Sequence, residues 1–155
     1  MPVITGPHNN LDIFLTVGVI DADTIEVGDL SLQFSQIPQP SLFKALIDTG
    51  AQKTMISPNV VNRLRLQPRG KMLVSGVGPS AHYHNAYLFH VAFVAPLTSP
   101  AEGTPTAPAL INVQKEPIYG AEIPSTGGLF DVLLGMDVLT KGLLVVQQGQ
   151  FSFSY

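Results

Sequence analysis

A single Asp-Thr-Gly triplet, Asp48-Thr49-Gly50, lies between two short apolar runs in the segment ALIDTGAQKTMIS at residues 45–57. The run before it, ALI, is typical of a buried strand, which would deliver the Asp48 carboxylate to a floor away from bulk water. The glycine allows a tight turn and the close approach of another backbone. The threonine hydroxyl can donate and accept hydrogen bonds, so it can brace a neighbouring loop. The segment therefore predicts a strand, a tight loop and a second strand around one acidic residue.

Composition narrows the class of protein. A chain of 155 residues is most simply one domain, and it is long enough to bury about two-thirds of its unfolded surface without a disulfide or a metal. The absence of cysteine removes thiol catalysis and thiolate metal sites. With a net charge of -3 and eight scattered lysines and arginines, the chain lacks the positive patch of a nucleic-acid-binding protein. No membrane span or secretion leader is recognisable, so we expect a soluble, cytoplasmic protein.

Strand patterns dominate the chain. Apolar or alternating runs, separated by Gly, Pro, Asn and Asp, occupy residues 11–20, 24–34, 42–47, 71–77, 86–95 and 143–155. These runs predict an all-β fold, either a barrel or a sandwich. Two short helices interrupt them. The first is predicted at residues 58–65, after Ser57 as N-cap, and the second at 136–140, between Gly135 and Gly142.

A segment rich in proline and glycine separates the last two of these runs. Residues 95–128 contain six prolines and four glycines, which predicts a long, poorly ordered insertion loop. A short strand at 110–113 is possible within it. The insertion is either a tolerated surface loop or a lid or partner-binding arm, and the sequence leaves both open.

Three separated segments resemble one family, in the family's order. The segments ALIDTGAQKTMIS, LVSGVGPSAH and FDVLLGMDVL are similar to the active-site loop, the flap hairpin and the apolar-apolar-Gly element of retropepsin-like aspartic peptidases. DTGAQ followed by MIS looks more similar to bacterial chromosomal and DNA-damage-inducible-protein-type members than to retroviral ones. The resemblance covers residues 42–94 and 129–155, and it leaves 1–41 as an N-terminal strand extension. It implies a single all-β domain over 1–155, a closed acid-protease barrel with one or two short helices.

The resemblance also implies roles for individual residues. Asp48 would be the catalytic carboxylate, Thr49 would hydrogen-bond across a dimer, and Gly50 would lie where the substrate backbone passes. Residues 133–135 would pack beneath this loop, and residues 72–88 would form a flap that closes over the substrate. The residues expected to bind substrate follow the triplet or lie at the flap tip: Ala51, Gln52, Gly76, Val77 and Gly78.

One triplet supplies one carboxylate, whereas aspartic peptidases need two carboxylates around one water. The chain has no internal repeat, so a second copy must supply the partner. The expected function is an aspartic endopeptidase whose water is activated by an Asp48 dyad across a homodimer, with a peptide or protein substrate and with no cofactor, metal, nucleic acid or membrane. One alternative is a catalytically inactive, dimeric peptide-binding or scaffold module of the same fold. Another is a structural β-barrel with a chance triplet.

Other polar residues have simpler interpretations. His82 and His84 are at strand spacing and could bind a metal, but without a third ligand nearby they are predicted to be exposed flap residues. Asp137 is predicted to be a helix N-terminal residue or a structural ion-pair partner rather than a second catalytic acid. Asp21 and Asp23 are predicted to lie in a hairpin turn.

The C-terminal sequence FSFSY places Phe151, Phe153 and Tyr155 on one face of a strand. Three aromatic side chains on a free chain end would be exposed to water unless something covers them. The sequence therefore predicts that these aromatics form part of an interface sheet with a second copy of the chain.

Overall fold

The computed structural model describes residues 3–8, 12–25, 40–76, 80–95, 110–124 and 126–155. These residues are mostly in strands, as the alternating apolar runs predict. They include two α-helices, α1 (Pro58–Leu64) and α2 (Met136–Leu139), neither of them long and apolar enough to cross a membrane. In chain order the strands are β1 (Val3–Pro7), β2 (Ile13–Asp21), β3 (Ser41–Ile47), β4 (Met55–Ile56), β5 (Gly70–Ser75), β6 (Ala81–Ala95), β7 (Leu110–Val113), β8 (Ile118–Glu122), β9 (Val132–Leu134), β10 (Leu143–Gln147) and β11 (Gln150–Ser154).

The larger sheet of the described residues runs in the order β2-β3-β9-β4-β8-β6-β5, and β7 is added to β6. Strand β2 also pairs with β6, so the sheet curves back toward its first strand. The predicted all-β fold is therefore present, but the sheet is not closed into a true barrel, and the prediction of a closed barrel is corrected in this respect. Strands β5 and β7 are both added to β6, and strands β1, β11 and β10 form a separate sheet.

Strand β9 lies between the two strands that flank the Asp48 loop. It pairs in parallel with β3, with Leu134 opposite Ile47. It pairs antiparallel with β4, with Leu133 opposite Met55. The loop that joins β3 to β4 must therefore cross the end of β9. The predicted packing of residues 133–135 against this loop is confirmed.

The inner side of the larger sheet contributes to one hydrophobic core. On β3 the side chains alternate, with Phe43, Ala45 and Ile47 buried and Leu42 and Lys44 exposed. Burying a large apolar side chain contributes roughly 1.5–3 kcal/mol, so this alternation anchors the strand that ends at Asp48. The same cluster includes side chains from both helices and both sheets, among them Val60, Phe89, Val138 and Phe153.

The last predicted strand is a hairpin rather than one strand. Strands β10 and β11 pair antiparallel around Gln148 and Gly149, whose φ angles are 44° and 78°. Two successive residues with positive φ are typical of a type I′ turn, which matches the twist of the strands it joins. Strand β1 pairs with the other side of β11, so the second sheet has the order β1-β11-β10.

The terminal aromatic side chains pack within their own subunit. Phe151 is 3% exposed and Phe153 is fully buried. The Phe93 ring of β6 lies 5.2 Å from the Phe153 ring and 4.3 Å from the Tyr155 ring, measured between centroids. The prediction that a second copy covers these aromatics is therefore wrong. Strand β11 is the central strand of its sheet, and its apolar face packs on Phe93 in the core of the same chain.

Both predicted helices are present. Helix α1 begins after Ser57, whose hydroxyl accepts a hydrogen bond from the Val60 N–H at 3.4 Å, and Pro58 occupies its first position. Helix α2 follows Gly135, as predicted. Asp21 caps a short 3₁₀ helix, Ala22–Thr24, that contains Asp23; the second arm of the hairpin predicted there lies outside the described residues.

The prediction of a loop through residues 95–128 is too broad. Strand β7 confirms the possible strand at 110–113, and β8 was not predicted. Strand β8 pairs with both β4 and β6, so it is an internal strand of the larger sheet. Residues 96–109, and most of the strand predicted at 24–34, lie outside the described residues.

Candidate active site

Asp48 is half-buried at the point where β3 ends, and its own loop orients it. Its backbone N–H donates to the Leu134 carbonyl oxygen of β9 at 3.0 Å. Its Oδ1 accepts a hydrogen bond from the Gly50 N–H at 2.8 Å, and the Ala51 N–H donates to the Asp48 carbonyl oxygen at 3.2 Å. The carboxylate is thus held in a tight backbone turn and keeps access to solvent.

Gly50 lies in a tight turn, as the sequence predicts. Its φ angle is not in the positive range, so the turn does not require a left-handed residue. A Cβ atom at this position would instead lie 3.2 Å from Asp48 Oδ1. The missing side chain therefore keeps the carboxylate oxygen uncrowded.

Thr54 is a buried polar residue that the sequence analysis missed. It is 0% exposed. Its hydroxyl donates to Asp137 Oδ1 at 2.7 Å and accepts from the Gly135 N–H at 3.1 Å. Its backbone N–H donates to the same Asp137 oxygen at 2.9 Å. These bonds fasten the end of the Asp48 loop to the start of α2, and a threonine between the triplet and the next apolar pair is the only sequence signal for them.

Asp137 is a structural residue, as predicted, although its partner is Thr54 rather than a cation. It lies in the first turn of α2. Oδ1 already accepts two hydrogen bonds from Thr54. This geometry suits a group that holds the loop in place, and it does not present the carboxylate as a second catalytic acid.

Helix α2 also binds the backbone of the residues that follow the triplet. The Met136 N–H donates to the Ala51 carbonyl oxygen at 2.8 Å, and the Asp137 N–H donates to the Gln52 carbonyl oxygen at 3.2 Å. A Cβ atom on Gly135 would lie 2.5 Å from the Lys53 carbonyl carbon, so only glycine fits this crossing. The structure therefore brings Ala51 and Gln52 into the same rigid loop as Asp48.

A hairpin formed by β5 and β6 corresponds to the predicted flap. The strands pair from Gly70 opposite Ala86 to Ser75 opposite Ala81. Gly76 is exposed at the end of β5. Val77 and Gly78, which are also predicted to bind substrate, lie outside the described residues.

The two histidines of this hairpin lie on its inner side. His82 is exposed, as predicted, whereas His84 is half-buried. Both line a groove of about 290 Å³ with Met55 of β4. In the described part of the chain, no group of three His, Asp or Glu side chains is placed to hold a metal ion.

Beyond the hairpin, Tyr87 joins β6 to β8. Its hydroxyl donates to Glu122 Oε2 at 2.8 Å. Burial, and secondly the neighbouring Glu122 carboxylate, raise the pKa of the Tyr87 hydroxyl above its usual value. The bond fixes β8, which pairs with β4 on its other side, next to the base of the hairpin.

Comparisons with known proteins agree with this architecture. The family described as "Aspartyl protease" matches residues 39–138, which include the Asp48 loop, the hairpin and the start of α2. The structure is similar to a solved retropepsin-like aspartic protease from Rickettsia conorii, with a TM-score of 0.53 and 14% identity over 98% of this chain and 90% of that chain. At this identity the likeness concerns the fold, and the predicted retropepsin-like all-β fold is confirmed. No curated protein matches the chain.

Proposed function

Since the chain belongs to the aspartyl protease family, we propose that it is an aspartic endopeptidase in which a homodimer supplies two Asp48 carboxylates to one water. The observation that carries this proposal is the Asp48 turn, because the carboxylate is oriented by the Gly50 N–H and the loop is fastened to α2. Each chain offers one Asp-Thr-Gly triplet. Two such triplets related by a two-fold axis form a complete site.

The proposed chemistry is general acid–base catalysis with one proton shared by the two carboxylates. Two close carboxylates cannot both ionise, so one is protonated and the other charged. The charged carboxylate takes a proton from the water as its oxygen attacks the peptide carbonyl carbon, while the protonated one donates to the carbonyl oxygen. When the C–N bond breaks, the carboxyl that took the water proton gives it to the leaving nitrogen. One hydroxyl of the tetrahedral intermediate returns its proton to the other carboxylate, which restores the shared proton and leaves a carboxylic acid. Every group needed belongs to Asp48 of the two copies.

Thr49 is proposed to brace the two loops against each other. It is exposed in the single chain although it follows the half-buried Asp48 directly. A hydroxyl beside a two-fold axis can donate to the partner loop and accept from it. Such reciprocal hydrogen bonds would hold the two carboxylates at a fixed separation.

The interface is proposed to include the outer face of the β1-β11-β10 sheet. Val3 is 51% exposed, Leu143 is 61% exposed and Val145 is 43% exposed. The cross-strand register sets hydroxyl residues of β1 and β11 beside them. We define the outer sheet face by the residues Val3, Thr5, Leu143, Val145, Ser152 and Ser154, none of which is charged. An uncharged, partly apolar sheet face suits contact with a second copy, which the incomplete site requires.

The substrate is proposed to be an extended peptide bound between the Asp48 loops and the β5-β6 hairpins. A closing hairpin excludes water from the carboxylates and offers backbone hydrogen bonds to the peptide. Ala51, Gln52 and Gly76 are the described residues proposed to contact it. A cytoplasmic location and the finer likeness to bacterial chromosomal enzymes remain predictions from the sequence.

The test compares digestion of a peptide library by the unaltered protein and by Asp48→Asn. We expect cleavage by the former and none by the variant, because an amide can neither take nor share the proton. Asp12→Asn, at an exposed carboxylate, is the matched control and should cleave normally.

Two results would contradict the proposal. Unchanged cleavage by Asp48→Asn would place the chemistry elsewhere. Binding of peptides by a folded dimer without any cleavage would favour the alternative, an inactive peptide-binding module.

A further inference from the structure

The groove beneath the β5-β6 hairpin is lined on one side by the inner face of the hairpin and on the other by Met55 and Pro124. The cross-strand register places Val74 opposite His82 and Met72 opposite His84, so these side chains share the inner face of the hairpin. Further along the same face, Ala86 lies opposite both Gly70 and Ala121. Small residues at the base and larger ones toward the tip leave an open space. The groove is lined by Met55, Val74, Ser80, His82, His84 and Pro124, together with Gly76.

The groove lies close to the Asp48 loop. Met55 is opposite Leu133 of β9, and Leu133 is opposite Leu46 of β3, two residues before Asp48. Neighbouring strands are about 4.8 Å apart, so the Met55 backbone is roughly 10 Å from that of Leu46. A peptide side chain one or two residues from the scissile bond can span this distance, since an extended chain advances about 3.3 Å per residue.

Every chargeable side chain among the described residues that line the groove is an imidazole. Lys71 and Tyr83 alternate with the inner residues and lie on the opposite face of the hairpin. The carboxylate on β8 belongs to Glu122, which follows the inward-facing Ala121. Its side chain lies on the other face, where it accepts a hydrogen bond from the Tyr87 hydroxyl. Lys53, two residues before Met55, is exposed. The charge available to the groove is therefore positive whenever an imidazole is protonated.

We propose that His82 and His84 make this groove a specificity pocket for an acidic side chain of the peptide substrate. The aliphatic part of a glutamate would contact Met55 and Val74, and its carboxylate would accept hydrogen bonds from the imidazoles and from the Ser80 hydroxyl. Charge-assisted hydrogen bonds are stronger than neutral ones, so glutamate is preferred to its neutral isostere glutamine. This inference rests on the proposed peptidase function and adds its substrate class.

The experiment uses matched peptides that carry Glu, Gln, Leu or Lys at one position at a time on both sides of the cleaved bond. We measure kcat/KM at pH 5 and pH 7 for the unaltered protein, for His82→Gln/His84→Gln and for the outer-face control Tyr83→Phe. At one position we expect a Glu-over-Gln preference of roughly tenfold, and Lys as the poorest substrate. The double variant should lose the preference, which is the ratio of kcat/KM for the Glu and Gln peptides and is therefore read independently of the variant's overall rate. Tyr83→Phe should keep it.

The same peptides, fluorescently labelled, are also titrated onto Asp48→Asn to measure Kd without cleavage. Tighter binding of the Glu peptide than of the Gln peptide supports the pocket even where no peptide is hydrolysed, and in that case only the proposed function falls. Cleavage of peptides with equal kcat/KM for Glu and Gln at every position overturns the pocket and leaves the function standing. A Glu preference that survives in the double variant also overturns it.

Discussion

At the scale of single residues, the loop position of Asp48 and the packing of Gly135 against that loop could be predicted, whereas the hydrogen bonds of Thr54 could not. Asp48 and Gly135 each belong to a motif of consecutive residues, which can be recognised in the sequence. The hydroxyl of Thr54 bonds to a carboxylate that lies 83 residues away and to an N–H that lies 81 residues away. Its position between the triplet and the next apolar pair is the only local signal, and this does not identify its distant partners. The sequence predicts a glycine at position 50 on the ground of backbone freedom, but its φ angle is not positive, and the missing Cβ leaves space beside Asp48 Oδ1.

Replacing Thr54 with valine should loosen the Asp48 loop. Valine has nearly the same shape, but it leaves Asp137 without one donor and the Gly135 N–H without its acceptor in a buried place. Losing partners for buried polar groups costs about 1–3 kcal/mol of the free energy of unfolding. Urea denaturation measures this loss, and peptide cleavage should fall in parallel. Thr54→Ser keeps the hydroxyl and should retain most of both; equal stability of the two variants would contradict the assigned role.

At the scale of elements, the alternation of apolar residues and the positions of Gly and Pro between the runs located most strands and both helices. They failed at β8, where proline and glycine in the surrounding segment indicate a loop. The five residues Ile118–Glu122 are a strand because two neighbours, β4 and β6, supply hydrogen bonds on both sides. Such pairing depends on segments far apart in the chain, which overrides local composition. The β10-β11 turn was missed because only one of its two central residues is a glycine, so local composition did not indicate a turn.

The crossing between the Asp48 loop and α2 should not tolerate any side chain. In Gly135→Ala the new Cβ would lie 2.5 Å from the Lys53 carbonyl carbon, and backbone atoms cannot rotate away as a side chain can. We expect a loss of roughly 1–3 kcal/mol or more in the free energy of unfolding, as for an overpacked core. Thermal unfolding compared with Gly76→Ala, whose Cβ would meet nothing within 4 Å, provides the check. Equal melting temperatures would mean that the loop and the helix can separate freely.

At the scale of the whole molecule, the fold could be predicted, but which face of the C-terminal strand is buried within its own chain could not. Period-two alternation identifies the two faces of β11, yet it does not say which face is directed into the chain's own core. The Phe93 ring decides this, because it packs on Phe153 and Tyr155 from a strand that is distant in sequence. The proposed interface consequently moves from the aromatic residues to the outer sheet face.

A charge on the outer sheet face should separate the proposed dimer. In Val145→Asp, two-fold symmetry would bring an aspartate from each copy to the same desolvated contact, and burying an unpaired charge is strongly unfavourable. Light scattering should report a folded monomer, and specific activity should fall steeply at low protein concentration. Leu129→Asp is the control, since Leu129 is 65% exposed elsewhere on the chain. A dimer that survives Val145→Asp with full activity would place the interface on another surface.

The position of β9 between β3 and β4 has a consequence for the order in which the molecule is made. Residues 132–134 leave the ribosome long after both strands that they separate, and until then the Asp48 N–H has no Leu134 carbonyl to bind. Contacts between distant segments form late, because closing a long loop costs entropy before it is rewarded. A nascent chain therefore carries the Asp48 triplet in a loop that is not yet shaped. The proposed active site takes its form only once residues 132–134 have been made, so synthesis itself sets the earliest moment at which two copies could combine their carboxylates.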